Sequence, residues 1–166
     1  MTDAQSLGDL FEIAISLERA MERLYHSLAE KFAGHQDVAD FWRSYAADEV
    51  GHAMRIAQFR DALSPEALAA PAEAAALALA HAALQFPVEH RLAEVQDLED
   101  AYQLVNELEN SETNAIFDFL ITNFASDENA RDFLRSQLKD HVGKLMIDFP
   151  SQFSNTGLRR RIKAQS

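Results

Sequence analysis

Residues 40–54 read DFWRSYAADEVGHAM and residues 132–146 read DFLRSQLKDHVGKLM. The two stretches align without a gap and share Asp, Phe, Arg, Ser, Asp, Val, Gly and Met at corresponding positions. They differ where chemistry is carried: Glu49 answers to His141, and His52 to Lys144. The match also runs backwards through a turn, because 31–41 (KFAGHQDVADF) and 123–133 (NFASDENARDF) align ungapped and share Phe-Ala as well as Asp-Phe. Each copy is therefore a helix–turn–helix hairpin. Two copies predict a pseudo-two-fold, all-α four-helix bundle in which corresponding positions face one centre.

Apolar residues recur with helical periodicity, and no strand-like alternation lies between turn signals. The first predicted helix runs from about Leu7 to Ala33, opened by Ser6 with Asp9 three residues on, a variant of the capping box. The second runs from about Val38 to Ala62 behind Asp37 as N-cap, and Ser64-Pro65 marks its exit because proline lacks an amide donor. The third spans roughly Val95 to Asn123, and the fourth follows Ser126 and stops near Pro150. Short connections at 33–37 and 125–128 predict antiparallel hairpins. A long one at about 63–94, holding Pro65, Pro71 and Pro87, predicts a crossover along the bundle. The bundle is assigned to residues 1–150, and 151–166 to a basic tail with Arg159, Arg160, Arg161 and Lys163, expected to be solvated.

A chain of 166 residues fits one domain with a core of its own. With no cysteine, disulfides and thiolate metal sites are excluded, and a reduced, cytoplasmic setting is expected. A net charge of −12 argues against nucleic acid as a partner. The opening MTDAQSLGDLFE has no basic start followed by an apolar run, so no secretory signal is expected. Residues 67–86 are apolar, but Pro71, Glu73 and His81 argue against membrane insertion.

On a helical wheel of about 100° per residue, Leu7, Phe11, Ala14, Tyr25, Ala29 and Phe32 fall within about 40° of Glu18. Glu49 falls among Trp42, Tyr45, Ala53 and Ile56, with His52 one turn along. In the third helix, the stripe of Leu98, Tyr102, Val105, Ile116 and Leu120 contains Glu109 and Glu112. In the fourth, Leu134, Leu138 and Leu145 flank His141. Ionised carboxylates in an apolar interior cost several kcal/mol each unless compensated. Because no arginine sits near the centre of these faces, metal ions are the economical compensation, and Glu and His are ligands for Fe, Mn or Zn. The candidate metal residues are Glu18, Glu49, His52, Glu109, Glu112 and His141. Glu22 reads as a flanking group. Tyr25, Tyr45 and Tyr102 read as amphipathic core residues able to bond ligands, and His26, His35, His81 and His90 have no such setting.

These residues resemble the rubrerythrin-like branch of the ferritin-like diiron superfamily. The carriers are Glu18 with Tyr25 seven residues later, Glu49-Val-Gly-His52, Glu109-Asn-Ser-Glu112 and the long crossover. The resemblance implies a ferritin-like four-helix bundle, an iron centre of two ions or one, and reaction with peroxide or oxygen as a peroxidase or ferroxidase. It also implies a ligand role for Glu18, Glu49, His52 and Glu112, with Glu109 as the extra glutamate of the third helix. The sequence departs from the family pattern at His141 and Lys144, which stand where a second Glu-x-x-His is normal, and no rubredoxin-like region is present. Four carboxylates and two imidazoles are nevertheless retained, as if ligands had been redistributed, with Lys144 leaning outward into water.

The function expected is an iron-dependent oxidoreductase whose catalytic groups include Tyr25, positioning the oxidant, and Glu109, shifting as iron oxidises. Its electron donor is expected to be a separate molecule. A non-catalytic Fe, Mn or Zn store is the alternative, and a dimeric interaction module with a degenerate site is a third reading. A homodimer is expected, although the sequence leaves oligomeric state open: Leu10, Leu17, Leu24 and Leu28 make a second apolar stripe that packs either the crossover or a partner chain.

Overall fold

The computed structural model describes residues 5–166, and among them secondary structure is helical apart from isolated backbone bridges. Helix α1 (Leu7–Lys31) opens with a reciprocal cap. The Ser6 hydroxyl accepts from Asp9 N at 3.1 Å, and the Asp9 carboxylate accepts from Ser6 N at 2.9 Å. Helix α2 (Gln36–Asp61) begins one residue before the expected cap: His35 is the N-cap, without a side-chain bond, and Asp37 lies inside the first turn. There Asp37 accepts from Gln152 at 2.6 Å. The two helices form the tightest pair in the molecule.

The crossover holds α3 (Pro65–Ala69), α4 (Ala74–Leu84) and α5 (Val88–Ala93). Helix α4 lies on α1 and on the later helix α7 (Glu112–Phe124) through buried Ala76, Ala80 and Ala83, whose small side chains allow close approach. Leu10, Leu17, Leu24 and Leu28 are all buried inside the chain, so the second stripe of α1 faces its own crossover and core rather than a free surface. No helix among the described residues is long and apolar enough to cross a membrane.

The third predicted helix is broken, which corrects the continuous span expected from Val95 to Asn123. It forms α6 (Leu98–Glu109) and α7 (Glu112–Phe124), separated by Asn110 and Ser111. Both residues compete for backbone hydrogen bonds. The Asn110 amide donates to Asn106 O at 2.7 Å, Ser111 caps α7, and the Asn114 amide donates to Glu109 O at 2.7 Å. These bonds end one helix and start the next. Helix α8 (Glu128–Ile147) follows, with the Asp127 carboxylate accepting from Ala130 N at 2.8 Å.

The repeat survives in register but not in detail. Trp42 and Leu134, Ala46 and Leu138, Glu49 and His141, and Ala53 and Leu145 are corresponding pairs, and all are buried. Phe41 is buried as well, whereas its counterpart Phe133 is 59% exposed, because α8 has a less covered outer face.

The basic tail is not a solvated end. A 3-10 turn at Ser151–Phe153 and α9 (Thr156–Arg160) return it to the bundle, where Leu98 N donates to Ile162 O at 2.9 Å and Gln165 N to Lys31 O at 2.7 Å. The Arg159 guanidinium is buried, bonded to the Glu99 carboxylate and stacked 4.0 Å over the Tyr102 ring. Arg160 meets Asp100 at 2.7 Å and Asp97 at 3.1 Å. The tail docks because α6 begins with acids: Asp97, Glu99 and Asp100 supply the counter-charges.

A candidate metal centre between the hairpins

Four helices each bring a titratable side chain to one point inside the bundle. Glu18 of α1 is 2% exposed, Glu49 of α2 is 3%, Glu109 of α6 is 2% and His141 of α8 is 5%. His52, one turn beyond Glu49, completes the group and is only partly shielded. Each stands in an apolar stripe, so packing that stripe carries the polar group inward.

The Glu49 carboxylate lies between the two imidazoles. Its Oε2 is 2.9 Å from His52 Nδ1, and its Oε1 is 3.2 Å from His141 Nε2. Glu18 Oε2 is 3.5 Å from the same His52 nitrogen, and Glu109 Oε2 is 3.0 Å from His141 Nε2. Glu109 also accepts from the buried Tyr25 hydroxyl, and from the Asn114 amide at 3.0 Å. Tyr25 stacks on Tyr45, with ring centroids 4.7 Å apart, and the Tyr45 hydroxyl donates to His141 O at 3.3 Å.

Burial and crowding set the electrostatics. Burial pushes the Glu18 carboxyl up to about 8, against the His52 hydrogen bond and with help from the Glu49 charge. Burial pushes Glu49 upward too, but the close His141 and His52 imidazoles and the Glu18 carboxyl outweigh it and hold this carboxyl far below its ordinary value. Burial opposes charging of His52, yet Glu18 and Glu49 raise it to about 9. The same contest at His141, with Asp48, Glu109 and Glu49 as partners, ends at about 12. Burial, then the Glu109 and Glu49 charges, raises Tyr25 well above the usual phenol value, so this hydroxyl stays a donor.

One atom is out of place in a purely proton-balanced cluster. His141 Nε2 is buried within 3.2 Å of two carboxylate oxygens, yet its N–H would point properly at neither, and it makes no hydrogen bond. A nitrogen aimed between carboxylates fits a cation there better than a proton. Glu49, His52 and His141 offer ligand atoms within 4.8 Å of one another. The donor set, carboxylate oxygen with imidazole nitrogen, fits iron, manganese or zinc.

Five of the six candidate metal residues thus meet, and Glu112 does not. The break at Asn110-Ser111 places it in the first turn of α7, exposed, where its charge favours the helix N-terminus. Lys144 also departs from expectation. Instead of reaching into water, its ammonium pairs with Asp48 Oδ2 at 2.7 Å and lies 5.1 Å from the Tyr45 ring centroid. Asp48 and Asn114 are the site residues that periodicity did not single out. The signal for Asp48 was its place immediately before Glu49 in the repeated phrase.

A groove of about 500 Å3 between α2 and α8 leads in from solvent. Gly51, Phe117, Leu134 and Leu138 contribute to its walls, and His52 and His141 line it as well.

The fold and site together define a ferritin-like helical carboxylate–histidine protein. The family model described as Rubrerythrin matches residues 9–130, and the chain belongs to the rubrerythrin family. That match covers α1 to α7 and ends at the start of α8, short of His141 and Lys144. No curated protein and no solved structure matches the chain.

Proposed function

We propose that the protein binds iron between its hairpins and reduces peroxide or dioxygen there, as an oxidoreductase of rubrerythrin type. The observation that carries this reading is the buried, unbonded His141 Nε2 between the Glu49 and Glu109 carboxylates. Glu18, Glu49, His52, Glu109 and His141 are the residues that would hold the metal. Ferrous iron bound there would supply the electrons for the oxidant, and ferric iron would return to the ferrous state at the expense of an external donor. These 166 residues hold no cysteine, so none of them forms a thiolate centre that could serve as that donor.

The side chains divide the remaining work. Glu49 ties the two imidazoles together, each carboxylate oxygen beside one ring. Tyr25 and Asn114 restrain Glu109 through its two oxygens, so the carboxylate has two donors to leave or keep as the local charge changes. The groove admits a small oxidant past Gly51 to the imidazoles, while Phe117 and Leu138 limit water on the way.

The test is to strip the full chain with a chelator, load Fe(II) without oxygen, count bound iron by elemental analysis and then add peroxide. Oxidation with two Fe(II) consumed per peroxide supports the reading. Bound iron that peroxide leaves ferrous favours the second reading, a store for Fe, Mn or Zn. That reading draws on the exposed Glu112 and on Lys144, which together leave fewer donors than the family pattern. Protein that takes up no metal overturns both.

A further inference from the structure

Lys144 occupies the position of His52 in the second copy of the repeat but offers the metal centre no ligand atom. Its surroundings are specific. Asp48 Oδ2 meets two groups of α8 at once, Lys144 Nζ at 2.7 Å and His141 Nδ1 at 3.2 Å. Beneath them, the Tyr45 ring packs edge-on against the His141 ring at 5.0 Å and holds the Lys144 ammonium over its face at 5.1 Å. The Tyr45 hydroxyl donates to His141 O. His141 is therefore held through its outer ring nitrogen, its ring face and its backbone.

We propose that Asp48 and Lys144 are a positioning pair that fixes the His141 ring with Nδ1 outward and Nε2 toward Glu49 and Glu109, so that the exchange of histidine for lysine at 144 supports the relocated ligand at 141. The inference rests on the metal-binding reading. An imidazole that binds metal needs its other nitrogen held, or the ring turns over and presents the wrong atom. Asp48 supplies that hold, but its side chain stands 37% exposed at the surface, where water competes for its oxygens. The Lys144 ammonium pins it. Lysine also cancels the charge of Asp48, so the orienting carboxylate adds no net negative charge beside a cluster that already holds Glu18, Glu49 and Glu109. His52 faces Glu18 and Glu49 through Nδ1, the opposite nitrogen, so the pair on Asp48 serves the His141 ring and not this one.

The experiment uses Zn(II) alone, which is redox-inert and silent in magnetic resonance, on chelator-stripped full-length protein labelled with 15N-histidine. Affinity is read by competition with a coloured chelator, and ring state by long-range 1H–15N correlation. In wild type we expect His141 to keep a proton on Nδ1 while Nε2 binds Zn(II). Asp48→Ala and Lys144→Met lose that protected proton and bind Zn(II) about tenfold or more weakly, and Lys144→Arg restores both. Helical circular dichroism of each metal-free variant reports whether it has folded, and the arginine variant keeps the test decisive if the methionine variant has not. Lys144→Met protein that is folded, as tight as wild type and unchanged at His141 overturns this inference and leaves the metal centre standing. Wild type that takes up no Zn(II) and no Fe(II) removes the metal-binding reading itself, and this inference with it.

Discussion

The two oxygens of Glu49 are shared between two histidines on different helices, Oε2 with His52 at 2.9 Å and Oε1 with His141 at 3.2 Å. No other carboxylate in the cluster approaches both rings. Glu49→Ala should therefore weaken Fe(II) uptake by more than the roughly 10–100-fold that losing an outer partner of a ligand costs, and by more than Glu18→Ala does. Elemental analysis after loading over a range of Fe(II) concentrations checks the order. Glu18→Ala proving the more damaging would show that the cation sits away from the shared carboxylate.

The metal-free protein carries its charge balance in protons, which gives stability a defined pH dependence. Glu18, His52 and His141 all have folded-state values above their ordinary ones, to about 8, 9 and 12. The folded state thus binds more protons than the unfolded chain over this range, and stability falls as pH rises. For His52 the contribution is fully present below about 6.5 and lost as pH rises through about 9. For Glu18 the cost of ionising inside the bundle grows from about 4.5 to about 8. Glu49 is shifted the other way: its contribution is fully present above about 4.5 and is lost only as pH falls into the acid range, so it stays constant between pH 6.5 and 9. The melting temperature of metal-free protein should drop by at least about 5 °C between pH 6.5 and 9. Saturating metal, which displaces these protons, should flatten the slope. A metal-free protein equally stable at both values would contradict the assignment.

The docked tail predicts a stability effect far from the metal centre. Arg159 is buried against Glu99, over Tyr102 and beside Phe153 O at 3.1 Å. Burial alone would push Glu99 upward, yet the Arg159 hydrogen bond holds it below its ordinary value. Removing one partner of such a pair leaves the other uncompensated, so Arg159→Ala should cost about 3 kcal/mol or more in urea unfolding. Fe(II) stoichiometry should stay as in wild type, since neither residue touches the cluster. A loss under 1 kcal/mol, roughly the value of an exposed pair, would mean that the tail is loosely held.

How much of this was legible before the structure depends on the kind of signal. Periodicity marked Glu18, Glu49, Glu109 and His141 as inward because an apolar stripe 3.6 residues in period can be buried in only one direction. The repeat put the helices in register, and Trp42/Leu134 and Ala53/Leu145 keep that register. Glu112 was misread because the wheel assumes an unbroken helix. The break depends on whether Asn110, Ser111 and Asn114 bond the backbone, a local competition that a hydrophobic pattern does not record. The tail was misread for the complementary reason. Arg159 is charged in any pattern, and only the distant Glu99 and Tyr102 make its burial tolerable. Lys144 likewise needed Asp48 from another helix.

Gly51 offers a test of the groove at a position that holds no metal ligand. It sits in the interior of α2, is exposed, and has no positive φ to require glycine. A Cβ built there meets nothing within 4 Å. In an exposed helix interior, glycine is less favourable than alanine by about 0.5–1 kcal/mol, because the unfolded chain has more freedom to lose. Gly51→Ala should therefore stabilise the protein by about that amount, measured by urea unfolding of metal-free protein. The larger Gly51→Phe should fill the groove that runs to His52 and His141, slowing Fe(II) uptake while leaving the final stoichiometry unchanged. Unaltered uptake kinetics in the phenylalanine variant would place the route for metal elsewhere. Destabilisation by alanine would show that the wall at this position is closed rather than open.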